Sequence, residues 1–229
     1  MEIAKINTIP IETYLRLEEM IYRAWDIFIN HFINKKYEIN LEAPFQLHFA
    51  SILKYVGELY CLRKREIIAV NLEVDMGDAK KNYIDIVIEY FGNDGKSSLL
   101  IPIELKFRTV KQSAEDEGVM AIYRDVYTIE QLVNKGKYNG STIPFGYFFI
   151  ISDNQRYTKK AKSGLKLVFD TSEGYTAKKE HEYKYLKNKT GIKFHDKYGS
   201  ITFKKEHTFQ WNVYKYEDES KYWFLKLKI

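Results

Sequence analysis

Along the first quarter of the chain, apolar residues return every three or four positions. Leu17, Ile21, Trp25, Phe28 and Phe32 predict a long helix over Pro10–Phe32. Tyr22, Ile29 and Ile33 widen its apolar face, so a plain core helix is expected, with packing on both the core and a second subunit as the alternative. Phe45, Phe49, Ile52, Leu53, Val56 and Leu59 predict a second helix from about Pro44, a residue favoured in a first turn, to Leu62. The period then falls to two. Glu66–Val74, Tyr83–Tyr90 and Leu99–Phe107 read as strands, with Asp75–Ala79 as a turn after the first. A third helix over Ser113–Lys135 is expected to bury Val119, Ile122, Val126, Ile129, Leu132 and Val133, and Gly136 is placed to stop it. Phe145–Ile151 is a continuous apolar run, as in a buried strand. Farther on, Leu165–Phe169, Ser200–Lys205, Thr208–Tyr216 and Tyr222–Ile229 look like strands, with a turn at Glu217–Ser220. Lys178–Lys189 is open between helix and loop. No repeat, low-complexity tract or linker interrupts the pattern, so the expectation is one α/β domain over residues 1–229.

The two central strands predict a register. Between them, Asp94-Gly95 is a strong signal for a two-residue type I′ turn. With that turn, Ile84 faces Leu105, Ile86 faces Ile103 and Ile88 faces Ile101, which makes one side of the hairpin wholly apolar. The same register sets Asp85 opposite Glu104 on the other side, with Lys106 one pleat along. Directly opposed carboxylates repel by a few tenths of a kcal/mol, roughly, or more. A divalent cation is the natural agent to compensate them.

Composition narrows the classes. The chain has 229 residues, 45% hydrophobic and 29% charged, enough to fill a sizeable core. A single cysteine, Cys61, excludes an internal disulfide framework and a zinc-finger cluster and suggests a reducing compartment. No apolar run approaches the ~20 residues of a membrane span. Met1–Asn7 lacks the pattern of a secretory signal, so a soluble cytoplasmic protein without membrane partners is expected. Net charge is +5, but from Asp153 onward 18 Lys/Arg stand against 10 Asp/Glu, while the preceding part is net negative. Aromatics such as Tyr157, Phe169, Tyr175 and Tyr183 are interleaved with this basic third. That mixture suits a polyanion with stackable bases, and Lys159, Lys160 and Lys162 are its candidate phosphate contacts. A solvated lysine-rich face is the alternative. Neither GxxxxGK[ST] nor GxGxxG occurs, which argues against ATP hydrolysis and dinucleotide binding. The five histidines have no metal-ligand spacing, His48 reads as a packing residue, and Cys61 has no evident base and reads as a core thiol.

An Asp followed about twenty residues later by Glu-x-Lys is what metal-dependent phosphodiester cleavage requires. Two carboxylates make a hard-cation site that leaves positions open for water and a phosphate oxygen, as Mg²⁺ prefers. A lysine two residues after the glutamate shares its strand face and is placed to orient the attacking water or stabilise charge on the transition state.

Ile84-Asp85-Ile86-Val87-Ile88 followed by Ile103-Glu104-Leu105-Lys106 resembles the active-site signature of the PD-(D/E)xK nucleases, the restriction-endonuclease-like superfamily. The order helix, strand, strand, strand, helix, strand from Pro44 to Ile151 matches that core, so the resemblance covers about residues 40–152. It implies an α/β restriction-endonuclease-like fold with an N-terminal helix and a β-rich C-terminal extension over 153–229. It also implies Asp85, Glu104 and the backbone carbonyl of Leu105 as metal ligands, and Lys106 as the catalytic lysine. The metal implied is Mg²⁺, with Mn²⁺ as a substitute. Glu42 resembles the further acid that members carry on the first core helix, and Glu58 is its rival. Gln46 and Glu73 resemble polar positions of the same kind of sequence without an assigned role, and Arg124 or Asp125 is placed to support the site. The proline that names the motif is absent, with Ile84 in its place. The expected activity is Mg²⁺-dependent hydrolysis of DNA by a restriction or defence endonuclease, with RNA as another substrate and a homodimer as the form that cuts both strands. A non-cleaving nucleic-acid-binding module of the same fold, a subunit of a larger assembly, is the rival expectation.

Overall fold

The computed structural model describes residues 10–77, 82–92, 98–112, 115–184 and 199–229. The described residues form an α/β structure with three α-helices, a mixed sheet and a strand-rich C-terminal part. It divides into two compact units, Met1–Ile103 with Lys135–Pro144, and Glu104–Asn134 with Phe145–Ile229.

The first unit opens with helices α1 (Ile11–Ile33) and α2 (Glu42–Tyr60). The aromatic residues that predicted them form their interface. Phe28 lies 5.0 Å from Phe45 and Trp25 5.5 Å from Phe49, centroid to centroid. Offset and edge-on ring pairs of this kind add about 0.5–1.5 kcal/mol each to the area they bury. Tyr22, Ile29 and Ile33 are half-buried, so the widened face is only partly covered within the chain. Helix α2 starts at Glu42, earlier than expected, because Pro44 falls in the first turn, where an N–H has no intrahelical partner to lose. Leu59 corrects the predicted apolar set: it is 77% exposed. The helix packs against β1 at Gly57, where an added Cβ would lie 2.9 Å from Ile68 Cγ2, and Leu59 falls in the last turn beyond that approach.

Strand β1 (Ile67–Asp75) pairs antiparallel with β2 (Tyr83–Phe91), and β2 pairs antiparallel with β3 (Ser98–Arg108). The β2–β3 ladder runs from Phe91 opposite Ser98 to Ile86 opposite Ile103, the predicted register over these pairs; it does not extend to the predicted pairs Ile84–Leu105 and Asp85–Glu104. Asn93–Ser97, with the Asp94-Gly95 turn, and 78–79 of the first turn lie outside the described residues. Short strands β4 (Lys137–Tyr138) and β5 (Ser141–Thr142) follow, and β5 joins β3 in parallel at Leu99 and Thr142, which makes the sheet mixed.

A buried ionic cluster fastens α1 to these strands. Arg16 donates to both carboxylate oxygens of Glu66, at 2.9 and 2.7 Å, and the Tyr90 hydroxyl donates at 2.7 Å. The backbone N–H groups of Leu62 and Arg63 complete the shell, both at 2.9 Å. Burial pushes the Glu66 carboxyl up, but hydrogen bonds from Arg16, Tyr90 and the Arg63 backbone outweigh it and bring the group from 4.5 down to about 2. A carboxyl depressed on folding stabilises the fold above its unfolded value and loses that contribution as pH falls toward its folded value. Glu66→Gln is therefore expected to cost about 2 kcal/mol at pH 7, the scale of a charged hydrogen bond. The gap to wild type should close between pH 4.5 and about 2. Urea unfolding of both proteins at pH 7 and pH 3 checks this.

The second unit carries β3 from Glu104 onward and helix α3 (Glu115–Lys135), which Gly136 follows at φ 73. Its strand order is β3, then the fully buried β6 (Tyr147–Ser152). After these come β7 (Thr176–Ala177), β8 (Glu182–Lys184), β9 (Ser200–Thr202), β10 (His207–Thr208), β11 (Trp211–Lys215) and β12 (Lys221–Lys228). Strand β12 lies between β6 and β11, antiparallel to both, while β7 pairs with β10 and β8 with β9. In the core of the unit, Tyr123 of α3 is ringed by Phe169, Tyr183, Phe203 and Phe209 at 5.0–5.7 Å. Its hydroxyl donates to the carbonyl of Asp170 at 2.6 Å.

Several C-terminal expectations are corrected. Leu165–Phe169 is not a strand: Leu165–Leu167 forms a short 3₁₀ turn after Gly164 at φ 82. The strand from Ser200 stops at Thr202, because the N–H groups of Lys204 and Lys205 donate to the buried carboxylate of Glu130 and leave the ladder. Thr208–Tyr216 divides in two, since Phe209 N–H bonds Tyr175 O and Trp211 N–H bonds Glu173. Within Lys178–Lys189, Glu182–Lys184 is strand, and 185–189 lie outside the described residues. Cys61 is half-buried instead of a core thiol. Among the described residues, no helix is long and apolar enough to cross a membrane.

Candidate functional site

In the first unit the sequence-predicted residues gather around one backbone irregularity. Strand β1 pairs with β2 at Leu72 opposite Ile86 and at Val74 opposite Ile84, but the ladder skips Glu73 and Asp85 between them. Glu73 sits at φ 50, a left-handed conformation that costs a non-glycine residue about 1 kcal/mol or more. The freed carbonyl of Asp85 accepts instead from Gln46 Nε2 at 2.7 Å, and the same amide donates to Glu73 Oε1 at 2.8 Å. Gln46 of α2 thus holds the backbone of Asp85 and the side chain of Glu73 together. Neither residue carries an assigned role on sequence grounds. Nothing in the hydropathy pattern marks a strand residue for positive φ.

Glu42 opens α2 one turn before Gln46, about 6 Å along the axis, on the same face. Glu58 is about 18 Å beyond Gln46 in the other direction and is exposed. Of the two acids, Glu42 is thus the one nearer along the helix to Gln46, which reaches the backbone of the half-buried Asp85. His48 packs as expected, stacked on Tyr37 at 4.0 Å.

In the second unit, Glu104 is 6% exposed, an ionisable group held in a largely buried position. Lys106 Nζ lies 3.1 Å from Asp125 Oδ2 of α3 and donates to the carbonyl of Leu105 at 2.8 Å. With both side chains about 12–13% exposed, the ammonium is held by two oxygens instead of swinging in solvent. Of the two helix candidates, Asp125 reaches the lysine and Arg124 is exposed.

Lys159, Lys160 and Lys162 line a cavity of about 300 Å³ in the second unit, together with Arg156 and Lys166, which the sequence did not single out. Among the described residues, no group of three or more His, Cys, Asp or Glu side chains is set to hold a metal ion. Asp85, Glu104 and the Leu105 carbonyl each offer hard oxygen of the kind Mg²⁺ takes. The donor chemistry fits the cation. Comparison with protein-family models, with curated proteins and with solved structures gives no match.

Proposed function

We propose that the protein is a Mg²⁺-dependent nuclease of restriction-endonuclease-like type, hydrolysing phosphodiester bonds of DNA. The observation that carries this reading is the Lys106–Asp125 pair, which fixes an ammonium two residues after a buried glutamate on one strand. The order α2, β1, β2, β3, α3, β6 is that of the proposed core, with only the small β4–β5 hairpin inserted. In this reading Asp85, Glu104 and the carbonyl of Leu105 hold the cation and Glu42 is the further acid. The bound cation supplies positive charge against the scissile phosphate and a more acidic water. Lys106 meets the negative charge that grows on the phosphate, and Asp125 keeps its Nζ aimed. Gln46 fixes the strand segment from which Asp85 projects. The partner is nucleic acid, DNA before RNA, and a second copy would supply the second site for cutting both strands.

Incubating the full chain with linear duplex DNA, supercoiled plasmid, single-stranded DNA and RNA, in Mg²⁺ or in EDTA, tests the proposal. Cutting in Mg²⁺ alone is expected, first on DNA. Retained binding with no cutting of any substrate would instead make it a non-cleaving module.

Asp125 is a positioning residue in this scheme. Asp125→Asn should slow cleavage about 10-fold, at the low end for loss of a supporting group. In a Lys106→Ala background the same change should add nothing, because the group it aims is gone. Single-turnover rates of the four proteins check this. Equal losses in both backgrounds would remove Asp125 from the mechanism.

A further inference from the structure

The cavity in the second unit is more than a basic stretch of chain. Arg156, Lys159, Lys160, Lys162 and Lys166 line about 300 Å³ of space, with Val119 of α3 as part of the wall and no carboxylate in the lining. Lys159, Lys160 and Lys162 are exposed and have no carboxylate partner among the described residues. Lys166 is different. Only 8% exposed, it donates to the carbonyls of Arg156 and Lys159 and so ties the two ends of this cationic segment together. The segment is also seated from below, because Tyr157 is 3% exposed and an added Cβ at Gly118 would strike its hydroxyl. Concentrated positive charge in a fixed, concave frame calls for an anion of more than one charge.

The frame is tied to the candidate catalytic strand. Asp153 N–H bonds Arg108 O and Val110 N–H bonds Asp153 Oδ1 at 2.6 Å, so the turn that begins the cavity is fastened to the end of β3, just past Lys106. Val119 stands six residues before Asp125 on α3, about 9 Å along the axis. The cavity and Lys106 therefore share one strand end and one helix.

We propose that this cavity receives the terminal phosphate of the nucleic-acid strand on which Lys106 acts, so that the enzyme engages strand ends. The inference rests on the nuclease reading and names its substrate feature. A space of this size lies at the lower limit of small-molecule pockets and suits one nucleotide, not a duplex passing through. A phosphomonoester carries nearly two charges and only one continuing bond, which matches a cavity lined by several cations better than a singly charged diester in mid-strand does.

Binding of the full chain in EDTA, where no cutting occurs, tests this by fluorescence anisotropy. The probes are matched oligonucleotides ending in 5′-phosphate, 3′-phosphate or hydroxyl, with a nucleoside monophosphate as competitor. One phosphorylated end should bind at least about 10-fold tighter than the hydroxyl end, about 1.4 kcal/mol. Lys160→Gln/Lys162→Gln should erase that preference. Equal binding of all three ends would overturn the end pocket and leave the nuclease reading standing. The monophosphate should compete with the preferred end, and a monophosphate that binds without displacing any oligonucleotide would overturn the end pocket.

Discussion

Asp85→Asn and Glu104→Gln are each expected to lower Mg²⁺-dependent cleavage by about a thousandfold or more. A bound cation contributes several kcal/mol to a phosphoryl transition state, and each 1.4 kcal/mol is about a factor of ten. Both substitutions keep the shape of the side chain and remove its charge. The fold should survive them. At Asp85 the contact that orders the strand is made by the backbone carbonyl to Gln46, which the substitution does not touch. At Glu104 the substitution keeps the shape and volume of a largely buried side chain, so the fold should be retained. Full activity in both variants, measured under single turnover with matched melting temperatures, would remove these residues from the mechanism.

Lys106→Ala is expected to slow cleavage by roughly two orders of magnitude or more, the scale for one lost transition-state stabiliser. DNA affinity in Ca²⁺, which occupies such sites without supporting rapid turnover, should change little. The variant leaves Asp125 without the ammonium now 3.1 Å away, so a stability loss of about 1–3 kcal/mol accompanies it. Affinity falling in step with rate would make Lys106 a phosphate anchor instead of a catalyst. The end preference assigned to the Lys160 and Lys162 cavity should be unaffected, because that cavity has its own cations.

What could be read in advance followed from periodicity. The β2–β3 register is specified by two alternating strands whose isoleucines must share a face, and a slip of one residue would turn all of them outward. The helix stop at Gly136 was legible for a similar reason, since the chain needs a positive φ there. Long-range polar contacts were not legible. Glu66 looks like an ordinary strand-start acid, and only folding brings it to Arg16, fifty residues earlier. Glu130 sits on α3 as a nominal surface acid, yet it is fully buried and captures two backbone N–H groups and His207. That capture ends the strand the sequence prolonged to Lys205.

The segment around Leu165 shows the converse error. Leu165, Leu167 and Phe169 alternate with other residues as in a strand, but Lys166 turns inward to bond two carbonyls and the backbone closes into a 3₁₀ turn. Alternation records which residues are apolar, not where a lysine finds acceptors. At the candidate site, the residue types on β2 and β3 were legible, and so was the choice of α3 as support. The choice of Asp125 over Arg124, the Gln46 bridge and the positive φ of Glu73 all depend on contacts between elements far apart in sequence.

Asp85 and Glu104 are proposed to act together on one divalent cation. Titration of the full chain with Mn²⁺, followed by electron paramagnetic resonance of the free ion, measures this without requiring turnover. One Mn²⁺ per chain should bind, be displaced by Mg²⁺, and be weakened at least about 10-fold by Asp85→Asn and by Glu104→Gln alike. Absence of a bound ion in the wild-type chain, or a bound ion indifferent to both substitutions, would contradict the account.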